Sequence, residues 1–312
     1  MVTLEGMMRS AILAAARSPQ LEQLVSAAPV SRSVVRRFVA GTTTEDAIDA
    51  SRALVHDGLA VTLDFLGEDT EDAGQARAAT EAYVELLGAL GAAGLTPPTE
   101  VSVKLSALGM LLDEKLASDN VLAICRAADA ADTTVTIDME DHTTTDASLD
   151  LLLRVRKDFP ETGAVLQAYL RRTEADCRDL AVAGSRIRLC KGAYDEPESV
   201  AYQSDLEVSR SYVRCANVLL AGGGYPMFAT HDPRLVAILE DRVRWYDRPV
   251  DTFEFQMLYG VRPVEQRRLA ELGYAVRVYV PYGTQWYGYL MRRLAERPAN
   301  TALFLRALVG RK

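Results

Sequence analysis

Eight short β-rich runs in this chain each close on a polar side chain: Asp64, Lys104, Asp138, Gln167, Lys191, His231, Gln256 and Tyr279 in chain order. Buried Asp, Lys and Gln are costly without partners, so their recurrence at such positions points to a shared polar mouth that holds a ligand. A ring of structural salt bridges is the plainer alternative. Lys104, between Ser102 and Ser106, suits a Schiff-base nucleophile, a carboxylate partner or a surface residue. Asp138 and Glu140 stand two apart, a spacing that can divide acid and base roles or satisfy Lys104 or a neighbouring arginine. His231 reads first as a hydrogen-bonded structural histidine. Arg188 lies inside its run, where a guanidinium needs an anion or an electron-rich acceptor.

A second group follows the eighth run, in PYGTQWYGYLMRRLAERPAN (281–300). Gly283-Thr284 turns the chain, and a helix from near Gln285 to Pro298 puts Tyr289, Arg292, Arg293 and Glu296 at i, i+3, i+4 and i+7, on one face. Two arginines and a tyrosine beside a polar mouth suit bidentate capture of a small carboxylate, with Glu296 steadying an arginine from behind. An ordinary solvated face with an Arg–Glu pair has the same spacing, but the rings of Tyr279, Tyr282, Trp286, Tyr287 and Tyr289 are dense for such a face.

The elements that must position these residues alternate. AVTLDF (60–65), VSVKLS (101–106), TVTIDM (134–139), AVLQAY (164–169), RIRLCK (186–191), PMFATH (226–231), TFEFQM (252–257) and AVRVYV (275–280) read as strands. Segments with helical periodicity, such as Ala76–Leu90, Val121–Ala131 and Ser148–Lys157, lie between them. Alternation implies parallel pairing through right-handed crossovers, and eight units fit a (β/α)8 barrel whose strand ends share one face. A doubly wound open sheet would need a glycine-rich phosphate fingerprint after the first strand, and Asp64-Phe-Leu-Gly-Glu is not one. The first forty residues read as helices broken at Pro19 and Pro29, so residues 1–44 form an N-terminal helical segment and 45–312 the barrel. Thr42 and Glu45 stand at capping-box spacing for a helix ending about His56.

Composition narrows the classes further. Thirty-five basic and 43 acidic residues among 312 leave a net charge of -8, against the basic face that nucleic acid requires. No apolar run approaches the roughly 20 residues of a membrane span. Glu5 and Arg9 interrupt the N-terminal stretch where a secretory leader would be apolar. Cys125, Cys177, Cys190 and Cys215 show no CxxC pairing, which predicts reduced thiols in a cytoplasmic protein. Three histidines (His56, His142, His231) argue against a multi-histidine metal site, so no metal is expected.

Six separated blocks carry a resemblance: VSVKLSALG (101–109), TIDME (136–140), RIRLCKGAY (186–194), FATHD (228–232), FEFQMLYG (253–260) and YLMRRLAE (289–296). In this order the chain resembles the proline dehydrogenase family from about residue 40 onward, in its compact single-function bacterial form. The resemblance implies a distorted (β/α)8 barrel with FAD in its mouth that oxidises L-proline to Δ1-pyrroline-5-carboxylate and passes electrons to a quinone. Carried over by position, Arg292 and Arg293 bind the proline carboxylate, helped by Lys104, and Asp138 is the active-site aspartate. Arg188 lies near flavin N5. Met139, Gln167, Cys190, Lys191, Gly192, Thr230 and His231 contact the flavin, Cys190 through its backbone. Tyr194, Tyr279 and Tyr289 wall the proline ring, with Leu258 as an apolar neighbour. The amphipathic tail 299–310 is one route for a peripheral membrane contact. The rival reaction on the same barrel is a Schiff-base aldolase using Lys104 or Lys191.

Overall fold

Strand closure was the decisive question left by the alternating pattern. A computed structural model describes residues 35–67 and 70–295. Among these, eight parallel strands close into one barrel in chain order. They are β1 (Ala60–Phe65), β2 (Thr99–Val103), β3 (Val135–Ile137), β4 (Gly163–Gln167), β5 (Arg186–Cys190), β6 (Tyr225–Ala229), β7 (Glu254–Leu258) and β8 (Val276–Tyr282). The ring closes where β1 meets β8, with Ala60 opposite Arg277 and Phe65 opposite Tyr282. The predicted (β/α)8 architecture is therefore the one observed, and an open sheet is excluded because no strand is left as an edge.

Helices α1 (Thr44–His56), α2 (Ala73–Ala92), α3 (Glu114–Ala130), α4 (Thr145–Val155), α5 (Thr173–Leu180), α6 (Asp205–Ala221), α7 (Pro233–Trp245), α8 (Pro263–Glu271) and α9 (Trp286–Ala295) alternate with the strands. Their starts follow local chemistry. Asp72 caps α2, Asp113 caps α3, and Asp232 caps α7 ahead of Pro233 in the first turn. The capping box of α1 is one residue later than the sequence spacing proposed. Thr43 and Asp46 form it, not Thr42 and Glu45, because the short Asp46 carboxylate accepts from both the Thr42 and Thr43 N–H groups (2.9 and 3.1 Å). The expected helices in residues 1–34, Glu296 and the tail 299–310 lie outside the described residues.

The strands have two faces of opposite chemistry. Val101, Val103, Ile137, Ile187 and Leu189 belong to the apolar layer between barrel and helices, packed with Leu86, Leu90, Ile124 and Leu219. Each such side chain contributes roughly 1.5–3 kcal/mol of burial. The alternate residues point into the lumen, which follows from bonds between strands that are not neighbours. Arg186 on β5 reaches Glu100 on β2 at 2.6 Å, and Arg188 on β5 reaches Gln256 on β7 at 2.5 Å. A barrel of this size is ordinarily filled by branched apolar layers. Here Thr62, Glu100, Ser102, Thr136, Arg186, Arg188, Glu254, Gln256 and Arg277 fill it with charge and hydroxyl.

Candidate active site

The strand ends position the mouth. β2 stops at Val103 and β3 at Ile137, so Lys104 and Asp138 are the first residues beyond their strands, while the Asp138 N–H still bonds the Val103 carbonyl at 2.9 Å. Asp138 is the hub. Its Oδ1 accepts from Arg188 Nη1 and Ser102 Oγ, each at 2.7 Å, and its Oδ2 accepts from the Tyr279 hydroxyl at 2.7 Å. The Arg188 guanidinium lies 5.2 Å from the centre of the Tyr279 ring, a cation–π contact that supplements these bonds. Burial, with the charges of Asp138 and Asp64, pushes the Tyr279 hydroxyl well above its ordinary range, so it stays a donor.

Lys104 donates to both oxygens of Asp64 at 2.7 Å and comes within 4.0 Å of Asp138. Asp64 is 1% exposed, and burial raises its carboxyl pKa against the pull of the Lys104 ammonium. Glu140, two residues on, accepts from the Ser106 N–H (2.9 Å) and hydroxyl, tying down the loop after β2. Asp138 and Arg188, both singled out from sequence, are thus joined to Lys104 and Tyr279 in one network. Asp64, Ser102 and Gln256 complete it. The sequence placed Asp64 and Gln256 at strand ends without giving them a role.

The expected cofactor-binding residues cluster around the ends of β4, β5 and β6. Gln167 closes β4 and donates to the Glu140 carbonyl at 2.7 Å. Lys191 follows β5 and bonds Asp232 at 3.1 Å. Burial would raise the Asp232 carboxyl, but hydrogen bonds from Arg234 and Lys191 outweigh it and hold it below its ordinary value. The buried Thr230 hydroxyl accepts from the Asp232 N–H at 3.2 Å, which fixes the start of α7. His231 Nε2 accepts from the Leu258 N–H at 2.8 Å, so its ring proton sits on Nδ1, and the imidazole joins the ends of β6 and β7. Met139 is buried beside Asp138. Gly192 adopts φ +106° with its Cα against the Tyr169 ring, where no Cβ fits. Burial pushes the Cys190 thiol up to about 11, and its Sγ contacts the Leu166 carbonyl, so the thiol stays protonated.

The residues expected on the substrate side lie on the loop after β5, at the end of β7 and on α9. Tyr194, on the loop after β5, is 37% exposed, and Leu258 ends β7 half-buried. Tyr289 is buried on α9 in an apolar cluster with Phe38, Leu66, Tyr287 and Leu290. Leu66 follows β1, and its N–H bonds the Tyr282 carbonyl at 2.7 Å, so this cluster seats α9 on the rim at the carboxyl ends of β1 and β8. Arg292 and Arg293 are half-buried on the same helix, and the Arg293 guanidinium lies 5.3 Å from the Tyr289 ring centre. At the opposite end, a cavity of about 650 Å³ is lined by Glu100, Arg186, Tyr225, Glu254 and Arg277. Those charges are spent on one another, and barrel chemistry belongs to the carboxyl-end face.

The carboxyl-end rim offers amide, ammonium, hydroxyl and imidazole groups at the strand ends, and α9, seated on the same rim, carries Arg292 and Arg293. The first set suits a polar heteroaromatic ring with an anionic tail. The second suits a small carboxylate. A family profile described as Proline dehydrogenase matches residues 47–306. "Proline dehydrogenase" of Deinococcus radiodurans is 39% identical over 98% of this chain and 99% of its own length. "Proline dehydrogenase 1" of Bacillus subtilis (strain 168) is 39% identical over 89% and 92%. Among solved structures, proline utilization A from Bdellovibrio bacteriovorus, inactivated by N-propargylglycine, superposes with a TM-score of 0.78 at 25% identity. It shares 85% of this chain and 32% of that one. With a closed barrel, a carboxyl-end network and matches that run nearly end to end in the compact relatives, the chain belongs to the proline dehydrogenase family.

Proposed function

We propose that this protein oxidises L-proline to Δ1-pyrroline-5-carboxylate in the barrel mouth, with FAD as its cofactor and a quinone as electron acceptor. The observation that carries the reading is the Asp138–Arg188–Tyr279 network beside Lys104 at the carboxyl-end rim, in a chain of this family. The residues fit the cofactor: the donor types of Gln167, Lys191, Thr230 and His231 suit its ring edge and phosphates. Arg188 Nη2 is buried with no hydrogen-bond partner, with Glu100 Oε1 3.7 Å away. FAD, when bound, supplies the hydride acceptor.

The chain's own task is then orientation and charge. Arg292 and Arg293 clamp the carboxylate of a rigid cyclic amino acid, which fixes the ring C–H next to nitrogen for transfer. Tyr289 and Tyr279 bound the ring, with Leu258 and Tyr194 at its edges. Arg188, held by Asp138, Ser102 and Gln256, places a fixed cation where electron density accumulates. The aldolase rival fits less well. Lys104 spends two donors on Asp64, the opposite of the neutral amine that imine formation needs.

The test is anaerobic mixing of the purified protein with L-proline. A yellow protein that bleaches on mixing supports the reading; a colourless protein, or one labelled at lysine by borohydride with a carbonyl substrate, overturns it. Replacing Arg292 or Arg293 with Ala should raise the proline KM by about 10- to 150-fold while flavin stays bound. An unchanged KM in both variants removes the clamp assignment.

A further inference from the structure

Resting on the flavin reading above, we infer that Gln256 is a positioning residue that keeps Arg188 an effective cation, and that Glu254 fixes the orientation in which Gln256 does so. Arg188 is 4% exposed, and its partners are unequal. Nη1 meets Ser102 Oγ (3.0 Å) and the carboxylate of Asp138 (2.7 Å), which Tyr279 and Ser102 also claim. Nε meets a neutral acceptor, Gln256 Oε1, at 2.5 Å. A carboxylate there would set a third negative charge against a guanidinium that already faces Asp138 at 2.7 Å and Glu100 at 3.7 Å. An amide oxygen satisfies the donor and leaves the charge in place.

An amide can present either its oxygen or its nitrogen, and β7 settles which. Two residues back on the same strand, Glu254 Oε1 accepts from Gln256 Nε2 at 2.5 Å. Glu254 is 2% exposed and is itself held by Arg277 Nε at 2.8 Å and by the Tyr225 hydroxyl at 3.3 Å. Flipping the Gln256 amide would set N–H against the Arg188 N–H at one end and oxygen against carboxylate at the other. Both contacts are repulsive between buried side chains, so the oxygen faces Arg188 in a single orientation. Arg277, Glu254, Gln256 and Arg188 thus form one relay from the amino-terminal end of the barrel strands to the mouth.

The experiment measures the two-electron midpoint potential and visible spectrum of the FAD-loaded protein for wild type, Gln256→Glu, Gln256→Met and Glu254→Gln. Gln256→Glu should make reduction at least tenfold less favourable, a fall of about 30 mV or more for a two-electron couple. Gln256→Met removes the acceptor without adding charge and should move the potential less. Glu254→Gln should shift the spectrum while leaving KM for proline near that of wild type. Potentials and spectra equal to wild type in folded, flavin-loaded Gln256→Glu and Gln256→Met overturn the inference. If Gln256→Glu does not fold, an unchanged potential in Gln256→Met overturns it alone. The two failures are distinguishable: a wild-type protein that holds no flavin, or is not bleached by L-proline, defeats the function reading, whereas a proline-bleached wild type with indifferent variants defeats only this relay.

Discussion

The Arg186–Glu100 ion pair in the lumen and the Lys115–Asp119 pair on α3 are both 2.6 Å long. Glu100 is 1% exposed and the Arg186 side chain 13%, whereas the surface partners are 80% and 60% exposed. In the lumen, Glu100 also accepts from Thr62, Thr134 and Thr136, so each lone pair lost to desolvation is replaced. On α3, water and salt compete for both partners, and holding two long side chains together costs entropy. Equal length therefore conceals unequal consequence. Breaking the buried pair strands a charge in low dielectric, while breaking the exposed one returns both groups to solvent.

The largest effect expected is at Glu100. Its carboxyl is pushed up by burial but held well below its ordinary 4.5 by Arg186, Arg277 and Arg188 together. Replacing it with Ala should cost about 3–5 kcal/mol, read as a fall in the urea midpoint. Because the folded carboxyl binds a proton less readily than the unfolded one, its contribution is fully present above about pH 4.5 and lost as pH falls below that. Wild-type Tm should therefore drop on acidification more steeply than that of Glu100→Gln. Matching pH slopes in the two proteins would break the comparison.

Tyr279→Phe comes next. It removes a 2.7 Å bond to the Asp138 carboxyl group, which should cost about 1.5–3 kcal/mol, and it should lower turnover as well as Tm. A smaller effect is expected at the edge of the fold, where Thr43→Ala removes the α1 cap and should cost about 1 kcal/mol in thermal unfolding. The smallest belongs to Lys115→Ala: Tm should not change measurably, with or without 1 M salt. A drop at Lys115 comparable to that at Tyr279 would erase the distinction between lumen and surface.

Much of the barrel was legible because its signal is local. Runs such as TVTIDM and RIRLCK declare strands by composition, and the polar residues ending them lie on the mouth where a parallel barrel must put them. Arg188 stood out because a charge inside a strand demands an acceptor. The deeper charges Glu100, Arg186, Glu254 and Arg277 were missed because they lie at or near the starts of strands rather than at their ends. Their signal was nevertheless present as period-two alternation, in Glu100-x-Ser102-x-Lys104 and Arg186-x-Arg188. The one-residue error in the α1 cap has a different origin: neighbouring threonines and neighbouring acids allow two registers, and side-chain reach chooses between them.

The amino-acid order on its own determined where strands and helices fall, which face of each strand is apolar, and which polar groups gather at the barrel's mouth. Only the tertiary structure decided partnership: that Lys104 is held by Asp64, that Asp138 joins Arg188 to a tyrosine 141 residues away, and that Gln256 meets Arg188 through its oxygen. The reason is physical. Alternation is set by the pleat of each strand and can be read within a few residues, whereas a bond across the lumen exists only once closure and register have brought distant strands to the same height.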